Sequence, residues 1–322
     1  MTAVRTSPPV GGSRVRGALG GLVSIASLGA VVWWASKQGT PKLPSGAGGL
    51  AIVAGAVLVY AVATVARGWR WHRILRKAEI PHTRADAYAL LPVGYMGNTV
   101  LPARGGELLR VFLMAGRGEA KRREVLGSIV CERLIDAATL VVLFAALTWA
   151  GVAGTPLGER PALLAVILLA AGLAGVRVYL ALRRRGRLQG FAERVAPLVR
   201  AGRPLLGRGG VVLAAATIGI WVLEALVLWL LGRSLSLEVS PLGACFVLVL
   251  SAFLSLVPAA PGYIGTYDAA IVFGLKGLGI TGSQAVGFAL LTRFVIFAPI
   301  TVAGLALLMW RYGGLRRIAA SR

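Results

Sequence analysis

Residues 85–116 read ADAYALLPVGYMGNTVLPARGGELLRVFLMAG. This stretch is apolar enough to enter a membrane and too broken to cross one as an ordinary helix. A break from Asn98 to Gly106, holding Pro102, Gly105 and Gly106, leaves an arm of about twelve residues on each side. At 1.5 Å per residue each arm reaches roughly 18 Å, against a hydrocarbon core of roughly 30 Å. Irregular backbone at membrane depth is tolerated only against protein or a watery cavity. The reading is a re-entrant helical hairpin, with a pair of tilted spanning helices as the alternative. A second stretch, 242–280, has the same character: LGACFVLVLSAFLSLV meets PAAPGYIGTYDAAIVFGLKGLGI, and Pro258, Pro261, Gly262 and Gly265 interrupt it.

Around these stretches lie longer apolar runs. Of the 322 residues, 57% are hydrophobic and 15% charged, against about 45–50% and 25% in soluble domains. Six runs read as full spans, at about 17–36, 48–66, 125–150, 161–181, 210–231 and 284–310, which excludes a soluble enzyme, a disordered chain and a disulfide scaffold. The first span reads as an uncleaved anchor, since Trp33 and Trp34 stand at its end and no clean cleavage site follows. The organisation expected is a tail over 1–16, one polytopic membrane domain over 17–311 and a basic tail over 312–322. The fold class is all-α integral membrane protein, with six spanning helices and two re-entrant hairpins, or eight or more spanning helices if the hairpins cross.

The formal charge of +23 is arranged in blocks. Residues 1–16, 67–84, 104–123, 177–208 and 311–322 hold three, six, six, nine and four Lys or Arg, while 37–47, 151–160 and 232–241 hold two, one and one. That alternation follows the positive-inside rule, placing both termini in the cytoplasm of a multi-pass cell-membrane protein and arguing against nucleic acid as partner. Basic connections at 69–80 and 182–209 read as amphipathic helices on the cytoplasmic surface. The two cysteines, Cys131 and Cys245, lie inside apolar runs, and the two histidines, His72 and His82, are too few for a metal centre. No cofactor is expected.

The informative residues are ionisable ones inside apolar segments: Glu132, Arg133 and Asp136 in CERLIDAATL, Glu224 in WVLEALVLW, Arg293 in LLTRFVIF, Arg104, Glu107 and Arg110 in the first hairpin, and Asp268 in the second. Unpaired at full depth, these nine would cost on the order of 25 kcal/mol, more than a typical protein's whole stability of about 5–15 kcal/mol. They must be paired, wet or shallow. Glu132 and Asp136 share a helix face, and Arg133 is turned from it by about 100°. The two readings are a polar cavity for a charged headgroup and a buried ion-pair network that fixes packing. The broken regions also echo each other: Gly106 precedes Arg133 by 27 positions and Gly265 precedes Arg293 by 28, the pattern of an inverted repeat that places substrate between broken helices. No GxxxxGK[ST], HExxH, GxSxG or GxGxxG motif occurs.

Taken together, NTVLPARGGELLRVFL, CERLIDAATL, PAAPGYIGTYDAAIVFGL and the Arg of the last span resemble the flippase-like membrane-domain family, the transmembrane part of bacterial lysylphosphatidylglycerol synthases. The resemblance covers about 17–311. It implies a lipid-translocating module; the soluble aminoacyl-transfer domain of the synthases has no counterpart here, and related modules accompany polyprenyl-linked glycosyltransferases. By motif, Asn98, Pro102, Arg104, Gly106, Glu107 and Arg110 match the first hairpin, Glu132, Arg133 and Asp136 the following span, and Pro261, Gly262, Gly265 and Arg293 the second half. Asp268 stands where the family more often has Glu. The expectation is a non-enzymatic carrier of anionic or polyprenyl-phosphate-linked lipids, with Asn98, Arg104, Glu107, Arg110, Glu132, Arg133, Asp136, Glu224, Asp268 and Arg293 at the headgroup. Its rivals are an intramembrane transferase and a non-catalytic partner of a glycosyltransferase; a homo-oligomer is a further possible partnership.

Overall fold

The computed structural model describes residues 33, 36–37, 40–101, 104–117, 119–152, 207–255 and 261–313. Among these it holds eight α-helices and no strand: α1 Gly46–Lys77, α2 Arg84–Val100, α3 Gly105–Ala115, α4 Arg122–Trp149, α5 Arg208–Ser234, α6 Pro241–Leu254, α7 Thr266–Gly277 and α8 Gly282–Tyr312, with a 3-10 turn at Pro261–Tyr263. Helices α1, α5 and α8 are long and apolar enough to cross a membrane, and they contain the spans read at 48–66, 210–231 and 284–310. The span read at 125–150 is α4, 28 residues long but carrying Glu132, Arg133 and Asp136. Apart from a few terminal residues, the spans at 17–36 and 161–181, the surface helix at 182–209 and both tails lie outside the described residues.

The elements fall into two units of like order. Helices α1 to α4 have 32, 17, 11 and 28 residues, and α5 to α8 have 27, 14, 12 and 31. Packing exchanges between the units: α1 lies along α5, α2 packs on α8, and α6 packs on α4. Helices α1 and α5 are antiparallel. Gly49, near the start of α1, lies against the Ser234 carbonyl at the end of α5, while Lys77 at the end of α1 lies against Gly209 at the start of α5.

This antiparallel pair gives the hairpins opposite mouths. Only residues 78–83 separate α1 from α2, a turn tied by His72 Nδ1 and His82 Nε2 at 2.8 Å. Thr83 caps α2 by accepting the Asp86 N–H at 3.0 Å. The Asp86 carboxylate then accepts from Tyr312 Oη (3.0 Å) and Arg311 Nε (3.1 Å) and pairs with Arg117 just past α3 at 3.6 Å. Both feet of the first hairpin therefore stand at the Lys77 end of α1. The second hairpin starts six residues beyond α5, where Pro241 occupies the first turn and Ser240 Oγ accepts the Gly243 N–H at 3.0 Å. Gly243 sits against Leu278, just past α7, so these feet stand at the Gly49 end.

The tips meet in between. Gly262 lies against Thr99, and Arg104 Nη2 donates to the Ser255 carbonyl at 2.9 Å. Helices α2 and α6 are about 25 and 21 Å long and α1 about 48 Å at 1.5 Å per residue, so the two arms end to end match the length of α1. The arms of the first hairpin touch closely at Gly106, where a Cβ would overlap the Gly94 carbonyl; only glycine permits that approach. The segment 69–80 departs from its sequence reading. Residues 69–80 are not a separate surface helix. They continue α1 to Lys77, with Trp71, Ile74 and Leu75 fully buried, because the same face that begins at Tyr60 and Ala63 carries on into the basic segment.

Candidate functional site

Helix α1 sets Arg67, Arg70, Trp71 and Ile74 at helical spacing on one buried face. Arg70 has no exposed surface. It donates from Nη1 to Asp136 Oδ1 (2.6 Å) and Thr217 Oγ1 (2.8 Å), and from Nη2 to Glu132 Oε1 (3.1 Å) and Asp136 Oδ2 (3.2 Å). The shared face of Glu132 and Asp136 thus has a cation between its two carboxylates. Arg110 Nη2 donates to Glu132 Oε2 at 3.1 Å and stacks over Trp71, 4.0 Å from the ring centre. Arg67 pairs with Glu224. Arg133 stands 3.6 Å from each of Glu107, Glu132 and Asp136. Four arginines and four carboxylates from α1, α3, α4 and α5 therefore balance.

The buried Nε–H groups of Arg70, Arg110 and Arg133 lack hydrogen-bond partners, and of all these arginines Arg133 and Arg104 are held most loosely by carboxylates. Arg133's ion pairs are longer than hydrogen bonds, its Nε has no partner, and its side chain is 34% exposed. Arg104 has no carboxylate partner among the described residues; it donates to Ser255 and lies 5.5 Å from the Tyr263 ring centre. Its φ of 56° puts it in the left-handed region at the start of α3, a conformation costing a non-glycine residue roughly 1–2 kcal/mol, which swings its side chain across to the other tip.

Arg104 and Arg133 look into a cavity of about 160 Å³, far above the roughly 10–15 Å³ that one water needs. Its aromatic wall is Tyr60, Tyr95, Trp221, Tyr263, Tyr267 and Phe297, and Asn98, Thr99, Ser251 and Ser255 supply neutral polar groups. The charged lining is Arg67, Arg104 and Arg133 against Asp136 and Glu224, one positive charge in excess.

The structure thus brings five of the ten expected site residues to one cavity: Asn98, Arg104, Arg133, Asp136 and Glu224. Glu107 and Glu132 stand behind Arg133, and Arg110 behind Glu132, away from the lining. Asp268 and Arg293 form a pair of their own. Arg293 Nη2 donates to Asp268 Oδ2 at 2.7 Å, Nη1 to the Gly262 carbonyl at 3.0 Å and Nη2 to the Tyr263 carbonyl at 3.3 Å, while Asp268 Oδ2 accepts the Gly265 N–H at 2.9 Å. That pair braces the second tip, where Gly262 and Gly265 have φ of 66° and 91° and Pro261 opens the 3-10 turn. Gly105 starts α3 and Gly106 joins the first hairpin through Asn98 Oδ1, which accepts its N–H at 3.0 Å; Pro102 and Pro258 lie outside the described residues. At the mouth of the first hairpin, burial would raise the Asp86 pKa, but hydrogen bonds from Thr83, Tyr312 and Arg311 hold it below the ordinary value.

Sequence reasoning missed Arg67, Arg70, Thr217 and the aromatic wall. The charge pattern alone assigns the two arginines to the basic block at 67–84. The signal that marks them is the run Tyr60, Ala63, Thr64, Arg67, Arg70, Trp71 and Ile74, which keeps helical spacing across the end of the apolar stretch.

The family described as the lysylphosphatidylglycerol synthase TM region matches residues 18–304 of this chain. Glycosyltransferase AglD of Haloferax volcanii is 30% identical over 105 residues, which are 33% of this chain and 17% of that protein. No solved structure matches the chain.

Proposed function

The chain belongs to the family of the lysylphosphatidylglycerol synthase transmembrane region, and from that premise we propose that it moves a lipid or lipid-linked headgroup between membrane leaflets without nucleotide hydrolysis or chemical change. The observation that carries this reading is the pair Arg104 and Arg133, two guanidiniums that line one cavity at the meeting of two hairpin tips with no carboxylate at hydrogen-bond distance from either. Buried donors are costly unless paired, and Arg presents a planar fork suited to phosphate oxygens. In this reading the hairpins are re-entrant and inverted, entering from opposite leaflets with their tips near the midplane. The headgroup sits between the tips while the chains stay in lipid. The Lys77 end of α1, with the basic blocks, faces the cytoplasm of the cell membrane.

The similarity to AglD favours a second reading, in which the chain serves a membrane glycosyltransferase as a non-catalytic partner handling a polyprenyl-phosphate-linked sugar. Purified protein in liposomes tests both. Movement of a labelled lipid with unchanged mass is the expected result, and Arg104→Ala should slow it at least about tenfold, a loss of roughly 1.4 kcal/mol. A lipid product of new mass would establish a transferase instead. Neither movement nor product would leave the partner reading.

A further inference from the structure

Each half of the molecule carries an acid and an arginine beside its hairpin tip, and the two pairs stand in equivalent places. Glu107 is the third residue of α3 and Asp268 the third of α7. Arg133 is the twelfth residue of α4 and Arg293 the twelfth of α8. The residue before each short helix, Arg104 or Gly265, has a positive φ, 56° and 91°. An inverted repeat places equivalent parts in equal register in this way.

Their contacts differ. In the second half Arg293 Nη2 donates to Asp268 Oδ2 at 2.7 Å and Nη1 to the Gly262 carbonyl at 3.0 Å, while the Gly265 N–H donates to the same carboxylate at 2.9 Å. Arginine, acid and tip are closed on one another. In the first half Arg133 stays 3.6 Å from Glu107, outside hydrogen-bond range. Among the described residues it reaches no carbonyl of its tip, and Glu107 does not accept the Arg104 N–H. The looser pair is also the wetter one. The side chains of Arg133 and Glu107 are 34% and 23% exposed, against 22% and 10% for Arg293 and Asp268.

We propose that these are two clasps that close in turn, the second shut and the first open in the state seen here. In the opposite-facing state Arg133 closes on Glu107 and on the Leu101 carbonyl, Glu107 takes the Arg104 N–H, and Arg293 withdraws from Gly262. Leu101 follows from register, since it precedes Arg104 by three positions as Gly262 precedes Gly265. The exchange rests on the translocation reading for its purpose, and Glu107 and Asp268 act in it as positioning residues that hold an arginine and a tip.

Equivalent parts built from like residues can adopt each other's geometry, so the two states lie close in free energy. The tips abut at Thr99 and Gly262, and Arg104 ties the first to the Ser255 carbonyl. They therefore shift as a pair between α4 and α8, which allows one closed clasp at a time. While its clasp is open, Arg133 remains compensated by Glu132 and Asp136, each 3.6 Å away. Closing draws Arg133 out of the cavity that it lines, so gripping the tip and gripping a headgroup exclude each other.

Hydrogen exchange on the full chain in lipid nanodiscs tests the exchange of clasps. Asp268→Asn keeps the acceptor for the Gly265 N–H but loses the charge that holds Arg293, so it favours the opposite state. Exchange should quicken over 262–268 and slow over 104–107, each about fivefold or more, the low end of coupling between sites. Adding Glu107→Gln should cancel the slowing over 104–107. Glu107→Gln alone gives up no hydrogen bond of the present state, so it keeps the test available if Asp268→Asn does not stay monodisperse. It should act in reverse, quickening 104–107 and slowing 262–268. A change confined to one tip in either variant would overturn the proposal and make Asp268–Arg293 a fixed brace. Reciprocal changes in a protein that moves no labelled lipid in liposomes would uphold the clasps and sink the translocation reading. Lipid movement without reciprocal changes would sink the clasps alone.

Discussion

Arg70 and Arg104 are both arginines at hairpin depth, and their surroundings assign them opposite consequences. Arg70 is fully buried between Glu132, Asp136 and Thr217. Removing one partner of a buried pair costs roughly 3–5 kcal/mol, because the remaining charges lose their counter-ion. Arg70→Ala should therefore yield little monodisperse protein or a markedly lower unfolding temperature in detergent. Arg104 ties one carbonyl at a tip, so Arg104→Ala should unfold close to wild type, within about 1 kcal/mol, while losing lipid movement. Equal destabilisation of the two variants would show that Arg104 belongs to the packing network. Arg293 stands between these cases, since it holds both Asp268 and the turn at Gly262 and Tyr263. Arg293→Lys cannot make that forked contact, and its loss of activity should come with loosening of the second tip, read as faster hydrogen exchange in 261–268.

The two hairpins touch at Thr99 and Gly262, and the proposed lipid movement requires them to part there. Cysteines at these two positions, in a background lacking Cys131 and Cys245, should cross-link under mild oxidation and arrest lipid movement, with recovery on reduction. The left-handed φ of Gly262 will cost a cysteine there about 1–2 kcal/mol, so the reduced form is the proper reference. Full activity of the cross-linked protein would mean that the tips need not part. Within the first hairpin, Gly106→Val should be severe, at or above the roughly 1–3 kcal/mol of ordinary overpacking, because the obstacle is the Gly94 backbone rather than a movable side chain. The Asp86 clasp has a defined pH sense. Its pKa is lowered on folding, so its contribution is complete above the ordinary carboxylate value near 3.9 and is lost as pH falls through the depressed one. Lowering the pH from 7 to 5 should leave the mouth closed, as measured by the protection from labelling of a cysteine at the buried Ala87 beside the clasp. Opening within that interval would have to come from other groups.

At the scale of the molecule, the antiparallel α1 and α5 put the two mouths at opposite ends of the bundle. Single cysteines at Arg76 and Glu238, both exposed, should react with an impermeant thiol reagent from opposite sides of the membrane, Arg76→Cys from the cytoplasm. Labelling of both from the same side would remove the inverted arrangement. The membrane character of the chain, its breaks at Asn98–Gly106 and 258–265, and the oddity of each intramembrane charge were legible in the sequence, because hydropathy, backbone permissiveness and desolvation are properties of residues and short windows. The pairing of those charges was not. Arg67 meets Glu224 across 157 positions and Arg70 meets Asp136 across 66; such partners are chosen by which helix lies against which, and no local window contains that choice. Residue chemistry alone required that charge be buried and that two helices break. Only the packing of α1 along α5, with two hairpins meeting tip to tip, decided which charges cancel and which remain to face a ligand.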